Sequence, residues 1–478
     1  MNKFNEFTLR EAARALRAHE CSVRDLWDAC HAAAERENPA LHAYLEIFDA
    51  DDTAIERAQT RIDTEGDNAP LLTGIPLALK DNILIEGKVA SAASKMLENY
   101  RATYDATVVT KLRDAGALFL GRTNMDEFAL GGSTENSAFG VTHNPHDTTR
   151  VAGGTSGGSA AAVAAHLCIA ALGTDTGGSV RNPASYCGVA GLKPTYGGVS
   201  RSGVIAAASS FDQVGPLAKT VEDLEILYEA IRGRDPLDST TIPDDLYPKK
   251  AVPQRLRVGV PQQMISREGI DAEVRAAFDA TLATWRDAGH EIVDIELSLA
   301  EPALAAYYII NFAEVSTNLA RYDGIRYGAA KRGETLLDDY LESRTAGFGP
   351  ETRRRILLGT YVLSAGYIDA YYRKAVAARN ALTREFDEAF TKVDVIATPT
   401  MPTPAFKVGE KSDPLSLYLE DAFTILANLT GMPGLSVPMG TVAREGNALP
   451  MGLHITAPHQ AEATLFAAAR MVEKGQRS

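Results

Sequence analysis

The stretch Gly153–Pro183, GGTSGGSAAAVAAHLCIAALGTDTGGSVRNP, decides how the rest of the chain is read. It holds two glycine-rich turns, Gly153–Ser159 and Gly177–Ser179, separated by the alanine-rich segment Ala160–Leu172. Glycine admits positive φ and lets another group approach the backbone closely. Both turns also carry hydroxyls, so together they describe a surface built around a small reacting group. The pattern between them predicts a helix over Ser159–His166 followed by a strand over Cys168–Thr174.

Working outward, strand and helix keep alternating. Gly74–Ile83 reads as a short apolar strand carrying Lys80, followed by a helix over 106–115 and a strand over Ala117–Gly121. Further on come a strand at Arg255–Val260, a helix at Asp271–Ala288 and a strand at His290–Ile295. Val274, Phe278, Leu282 and Trp285 share one face of that helix, and Gly289 ends it. Thr8 and Ser22 are placed to cap two N-terminal helices, the second stopped by Asn38-Pro39, and a third covers about 51–62. A long helical section occupies about 301–390, and three strand-like pieces close the chain at Val393–Ala397, Leu435–Val437 and Gly452–Ile455. Gly188–Gly198 reads as loop, and Pro236–Pro253 as an exposed excursion. This alternation predicts an α/β fold with a parallel or mixed sheet. The expected organisation is a helical section at 1–65 packed on one large domain at 66–478, which bears a helical lobe at about 300–390.

Bulk properties narrow the function. The 478 residues carry a formal charge of −14, with 45% hydrophobic and 23% charged residues. That is ordinary globular composition, and its acidity argues against direct binding of a nucleic-acid backbone. Cys21, Cys30, Cys168 and Cys187 form no CxxC pair or zinc-type cluster, and the histidines show no metal spacing, so a reduced cytoplasmic setting and no metal are expected. The N-terminus lacks the apolar centre of a signal peptide. The longest apolar run, Ala160–Leu172, falls short of the about 20 residues a membrane span needs.

Candidate chemistry centres on Lys80. A lysine at a strand end is either a snorkelling surface charge or, if buried, a base with a lowered pKa. Ser179 follows Thr176-Gly177-Gly178, where small residues let successive N–H groups face one concavity, the requirement for an oxyanion hole; the alternative is a flexible turn. Thr155 or Ser156 in the other turn could relay a proton between a serine and a lysine. Gly154–Gly158 formally matches G-x-S-x-G, but the polar Asp147–Arg150 precedes it instead of the hydrophobic strand that elbow requires. No Walker A sequence occurs. Cys187 fits buried packing better than nucleophilic attack.

Lys80 in GIPLALKDNI, the GGTSGGSAAAVAA turn, and DTGGSVRNPASYCGVAGLKPTYG together resemble the amidase signature family. NMDEFALGGSTENS, GVIAAASSFDQVGPLAKTVED, RYDGIRYG, GFGPETRRRILLGTYVLSAGYIDAYY and GMPGLSVPMG are similar to its glutamine-hydrolysing branch, the A subunits of tRNA-dependent amidotransferases. The resemblance covers about residues 5–470. It implies a mixed sheet of about eleven strands wrapped by helices and a Ser–Ser–Lys triad, with Ser179 as acyl-forming nucleophile, Lys80 as base and Thr155 at the bridging position. Thr176, Gly177 and Gly178 would supply oxyanion donors. Tyr307, Arg355 and Asp421 would hold the backbone end of glutamine, Arg355 on the α-carboxylate and Asp421 on the α-ammonium. The resemblance further implies that this chain binds no cofactor, that ATP and Mg belong to a partner, that subunits B and C complete a heterotrimer, and that charged tRNA is reached through the partner. Its product would be Gln-tRNA(Gln), Asn-tRNA(Asn) or both. The sequence departs from the family at the bridge, where it has GGTSGG in place of GGSSGG; the added methyl stiffens χ1, and Ser156 is the alternative relay. The competing functions are a stand-alone amidase acting on another small amide and a non-catalytic assembly subunit.

Overall fold

The computed structural model describes residues 3–247, 251–411 and 413–477. Its strands are β1 (Tyr44–Ile47), β2 (Pro76–Lys80), β3 (Leu118–Thr123), β4 (His143–Asn144), β5 (Asp147–Val151), β6 (Ala170–Asp175) and β7 (Ala190–Lys193). They continue with β8 (Gln213–Ala218), β9 (Arg257–Pro261), β10 (Glu291–Ile295), β11 (Val395–Pro399), β12 (Gly434–Arg444) and β13 (Asn447–Thr456). Eleven of them form one sheet in the order β1-β3-β2-β6-β8-β7-β12-β13-β11-β9-β10, and β4 and β5 pair separately. The sheet is mixed, as expected. β3, β2 and β6 run parallel at one side and β11, β9 and β10 at the other. β8, β7, β12 and β13 are antiparallel to their neighbours between them.

β6 is buried along its whole length, so AALGTD shows no alternation of apolar and polar residues. At Gly173 a Cβ would lie 2.7 Å from the Ser156 Oγ; the missing side chain lets the helix Gly157–Ala164 rest directly on the strand. β2 and β6 are parallel neighbours, with Leu79 opposite Leu172. Their C-terminal ends, Lys80 and Asp175, therefore emerge at the same sheet edge, where open α/β sheets bind their ligands.

The N-terminal caps form: Thr8 and Ser22 each make a capping box. The second helix is not stopped by Asn38-Pro39 but runs to Leu41. Pro39 is exposed in its last turn, and the Tyr44 N–H on the Asn38 side chain (2.7 Å) turns the chain afterwards. Residues 44–47 then join the sheet as its edge strand β1, and Leu9, Leu16, Trp27 and Ile62 are buried in the principal core. The loop expected at Gly188–Gly198 contains β7. The excursion at Pro236–Pro253 is only partly exposed. Asp238 and Thr241 are buried, the first by Arg201, while Leu237 projects outward; Pro248–Lys250 lie outside the described residues. The lobe comprises helices Ala300–Asn318, Leu336–Gly347, Pro350–Val362 and Tyr372–Lys392.

Candidate active site

Lys80, the last residue of β2, has 0% exposure, which rules out a snorkelling surface charge. Its Nζ lies 2.6 Å from Thr155 Oγ1, 2.9 Å from Ser156 Oγ, 3.0 Å from Thr174 Oγ1 and 3.2 Å from Thr174 O. Burial lowers its pKa to about 7, with Asp126, Asp175 and Asp212 pulling the other way. Desolvation outweighs three carboxylates, so near neutral pH much of the amine is free to accept a proton.

The turn that carries Thr155 is shaped by Gly153 (φ 87°) and Gly154 (φ 53°). A Cβ at Gly154 would collide with the Pro183 ring, so glycine is required on two counts. Ser156 is the N-cap of the helix Gly157–Ala164, yet its side chain makes no capping bond. Its hydroxyl faces Lys80, donates to Thr174 O (3.1 Å) and accepts from Thr174 N (3.3 Å). The vacant cap is filled from another loop: Thr134 Oγ1 accepts the Gly157 N–H at 3.1 Å and donates to Gly154 O at 2.8 Å. With Ser156 so committed, Thr155 is the hydroxyl that remains available next to the amine. The Ser156 N–H donates to Ser179 O at 3.1 Å, tying the two glycine turns together.

Ser179, at 8% exposure, is the most accessible of the three expected catalytic residues. Its loop winds around a buried carboxylate. Asp175 accepts from Gly178 N (2.9 Å) and Val180 N (3.1 Å), and Arg181 reaches it with Nη2 (2.8 Å) and Nε (3.0 Å). Both side chains of this pair are fully buried. Burial alone would raise Asp175, but the Arg181 guanidinium, Asn428 and Lys193 overcome it and hold the carboxyl well below the usual range. This corrects one expectation. The Gly178 N–H is spent on Asp175, so it does not serve as an oxyanion donor. The N–H groups of Thr176, Gly177 and Ser179 make no hydrogen bond to another described residue and are the donors left for that task. Asp212 receives the Thr176 hydroxyl at 2.7 Å and fixes that end of the loop.

Tyr307, Arg355 and Asp421 converge above the Ser179 loop. A Cβ on Gly177 would strike the Tyr307 phenol, and Thr424, three residues after Asp421, donates to Gly177 O at 2.7 Å. Arg355 is 3% exposed and so does not belong to a solvated helix face, whereas Arg353 and Arg354 do. Its Nε binds Glu351 Oε1 at 2.7 Å, and the Tyr308, Phe312 and Tyr418 rings surround the guanidinium with centroids 5.4–5.9 Å away. Burial raises Asp421 to about 7, against the Tyr308 hydroxyl, which donates to it at 2.7 Å, and against Arg355. A cation and a carboxylate thus share one aromatic-walled enclosure, which suits the two charges of an α-amino acid.

Several residues of the site carried no local signal. Asn428 and His454 both contact Arg181, at 2.6 and 2.9 Å, from more than 240 positions along the chain. Asp126 is buried and accepts the N–H groups of Ser133, Thr134 and Asn136, which shapes the loop that in turn caps the helix Gly157–Ala164. Among the described residues no group of three or more His, Cys, Asp or Glu is arranged to hold a metal.

The amidase family model matches residues 25–466. The chain belongs to the amidase signature family. Its relatives in that family include the A subunit of the glutamyl-tRNA(Gln) amidotransferase of Koribacter versatilis (strain Ellin345), 48% identical over 479 residues and 98% of both chains. Among solved structures, the A subunit of the glutamyl-tRNA(Gln) amidotransferase of Thermotoga maritima superposes with a TM-score of 0.79 at 38% identity, covering 98% of this chain and 95% of that one. The native peptide amidase of Stenotrophomonas maltophilia gives a TM-score of 0.81 at 29% identity, covering 98% and 97%. The amidase signature scaffold is therefore shared by proteins with different names and activities, so the fold alone does not specify the amide.

Proposed function

We propose that this chain is the glutamine-hydrolysing subunit of a tRNA-dependent amidotransferase. The observation that carries the reading is the joint presence of a buried, near-neutral Lys80 on Thr155 and of two opposite charges, Arg355 and Asp421, walled by the same aromatic rings. Neutral Lys80 takes the Thr155 proton as Thr155 takes the Ser179 proton, and Ser179 Oγ attacks the side-chain amide carbon of glutamine. The N–H groups of Thr176, Gly177 and Ser179 bind the developing oxyanion. Returning the proton to the leaving nitrogen releases ammonia, and water, deprotonated through the same relay, frees glutamate from Ser179. Arg355 binds the α-carboxylate with the guanidinium donors not used by Glu351, and Asp421 binds the α-ammonium.

The relatives are named as A subunits of glutamyl-tRNA(Gln) amidotransferases, which supports ammonia delivery to other subunits. In this reading subunits B and C complete a heterotrimer, ATP and Mg act on a partner, and a partner holds Glu-tRNA(Gln) or Asp-tRNA(Asn), which an acidic chain is ill suited to grip. Leu336, Leu337, Leu357 and Tyr361 are exposed on the lobe, the kind of surface a partner would cover. The reaction sits in the cytoplasm with translation, and no described helix is long and apolar enough to cross a membrane.

Co-purification with candidate partner subunits, followed by glutamine-dependent amidation of both misacylated tRNAs, tests the proposal. Hydrolysis of unrelated small amides, with no transfer to either tRNA in the presence of partners, would move the chain to the stand-alone amidases.

A further inference from the structure

The contacts of Lys80 are unequal in kind. Thr155 Oγ1 is the nearest, at 2.6 Å, and the other three come from Ser156 and Thr174. A neutral amine has two N–H donors and one lone pair. If the N–H groups settle on Ser156 Oγ and on Thr174, the lone pair is left facing Thr155, the orientation a base needs. Ser156 is fixed by its two bonds to the Thr174 backbone. The Thr174 side chain is fixed by Asn82, whose Nδ2 donates to Thr174 Oγ1 at 3.0 Å. Asn82 is buried and its Oδ1 meets no partner among the described residues. Turning the amide over would leave both N–H groups of Nδ2 unpaired in place of one N–H and the carbonyl oxygen, and buried donors tolerate that less well than acceptors do. Donation to Thr174 is thus the favoured orientation.

We infer that Asn82 and Thr174 are positioning residues that aim the Lys80 lone pair at Thr155. Asn82 sits two residues after the base in the same chain segment, and Thr174 lies on the neighbouring strand β6, so the pair locks the amine across the β2–β6 seam. Neither side chain touches the reacting serine through a described hydrogen bond; both act through Lys80. When the amine becomes an ammonium after proton transfer, Thr174 remains an acceptor for it. The other charges that bear on Lys80 are the carboxylates of Asp126, Asp175 and Asp212, which these substitutions leave in place.

The inference rests on Lys80 being the base, and the experiment separates the two. In the complex with its partner subunits, glutamine hydrolysis is followed against pH for Thr174→Val, Thr174→Ser, Asn82→Ala, Asn82→Asp and Lys80→Ala. Thr174→Val is expected to lower kcat by about tenfold or more with KM for glutamine unchanged, and to move the acidic limb of the kcat profile down by about half a unit, because the ammonium form loses an acceptor. Thr174→Ser should restore both. Asn82→Ala should lower kcat several-fold, and Asn82→Asp should move the same limb upward, since a carboxylate beside Thr174 favours the ammonium. Opposite movements of one limb are not produced by a general loosening of the fold. Wild-type kcat and an unmoved limb in Thr174→Val, with Lys80→Ala inactive, would overturn the inference and leave the base intact. Undiminished activity in Lys80→Ala would overturn both. If Thr174→Val does not fold, the Asn82 pair decides: an unmoved limb in Asn82→Asp rejects the inference.

Discussion

At the scale of single residues, the question left by the sequence was which hydroxyl bridges Lys80 and Ser179. Ser156 already accepts from Thr174 N and donates to Thr174 O, so its proton is committed, whereas Thr155 presents its oxygen to Lys80 at 2.6 Å. Thr155→Ala should therefore lower glutamine turnover by about 10²-fold or more, while Thr155→Ser retains it, a loss in the range of general acid–base catalysis. Near-wild-type turnover in Thr155→Ala would remove the threonine from the relay. Lys80 and Asp421 both sit near pH 7 but in opposite senses. Lys80 must lose its proton to act as base, so kcat should rise through about pH 7 and level off above it. Asp421 must be ionised to hold an ammonium, so KM for glutamine should fall over the same interval. Asp421→Asn should leave KM high and flat with pH while the kcat limb persists, which separates the two titrations in one set of initial-rate measurements. These residues were legible because glycines, hydroxyls and a strand-end lysine lie within short, unusual segments. The loss of Gly178 as an oxyanion donor was not, because nothing local says that Asp175 turns back to take its N–H.

At the scale of elements, the Ser179 loop is held by a buried ion pair rather than by packing alone. Arg181→Met would leave Asp175 ionised and unpaired, and breaking such a pair costs about 3–5 kcal/mol. Urea unfolding should register that loss, together with a fall in kcat as the loop relaxes; unchanged stability would show the pair to be dispensable. The sign with pH follows from the direction of the shift. Asp175 is held below its unfolded value, so its contribution is present above the ordinary carboxylate range and is lost as acid titrates the folded form. The strands and helices that sequence reading recovered are those with clean periodicity, such as the helix Ala272–Asp287 beside β9 and β10. β8 escaped because Gly215 and Pro216 in QVGPLA argue against a strand, yet Pro216 is accommodated opposite Leu172 in the sheet interior. β12 and β13 were seen only as fragments of a hairpin that in fact spans 434–456, since Pro438 and a bulge interrupt the alternation.

At the scale of the whole molecule, the core contains a second buried lysine that the chemistry does not use. Lys193 is fully enclosed, donates to Pro194 O at 2.8 Å, and is lowered by burial and by Arg181 to about 7, against Asp175 and Glu462. Between pH 7 and its unfolded value the unfolded chain binds a proton that the folded chain has released, so stability should climb with pH across that range. Lys193→Met should be more stable than wild type at pH 7 and lose that advantage by about pH 10, as read from melting curves at the two pH values; destabilisation at both would mean that the Pro194 bond outweighs the buried charge. The family and the mixed sheet were readable from ordered motifs, but the wiring between distant parts of the chain was not, because pairings across hundreds of residues leave no periodicity. That wiring has a temporal side. The loop bearing Ser179 is secured by Asn428 and His454, and β7 waits for β12 as its neighbour. A polypeptide still being synthesised has Lys80, Thr155 and Ser179 long before it has their fastenings. It cannot begin consuming glutamine until nearly the last strand has left the ribosome.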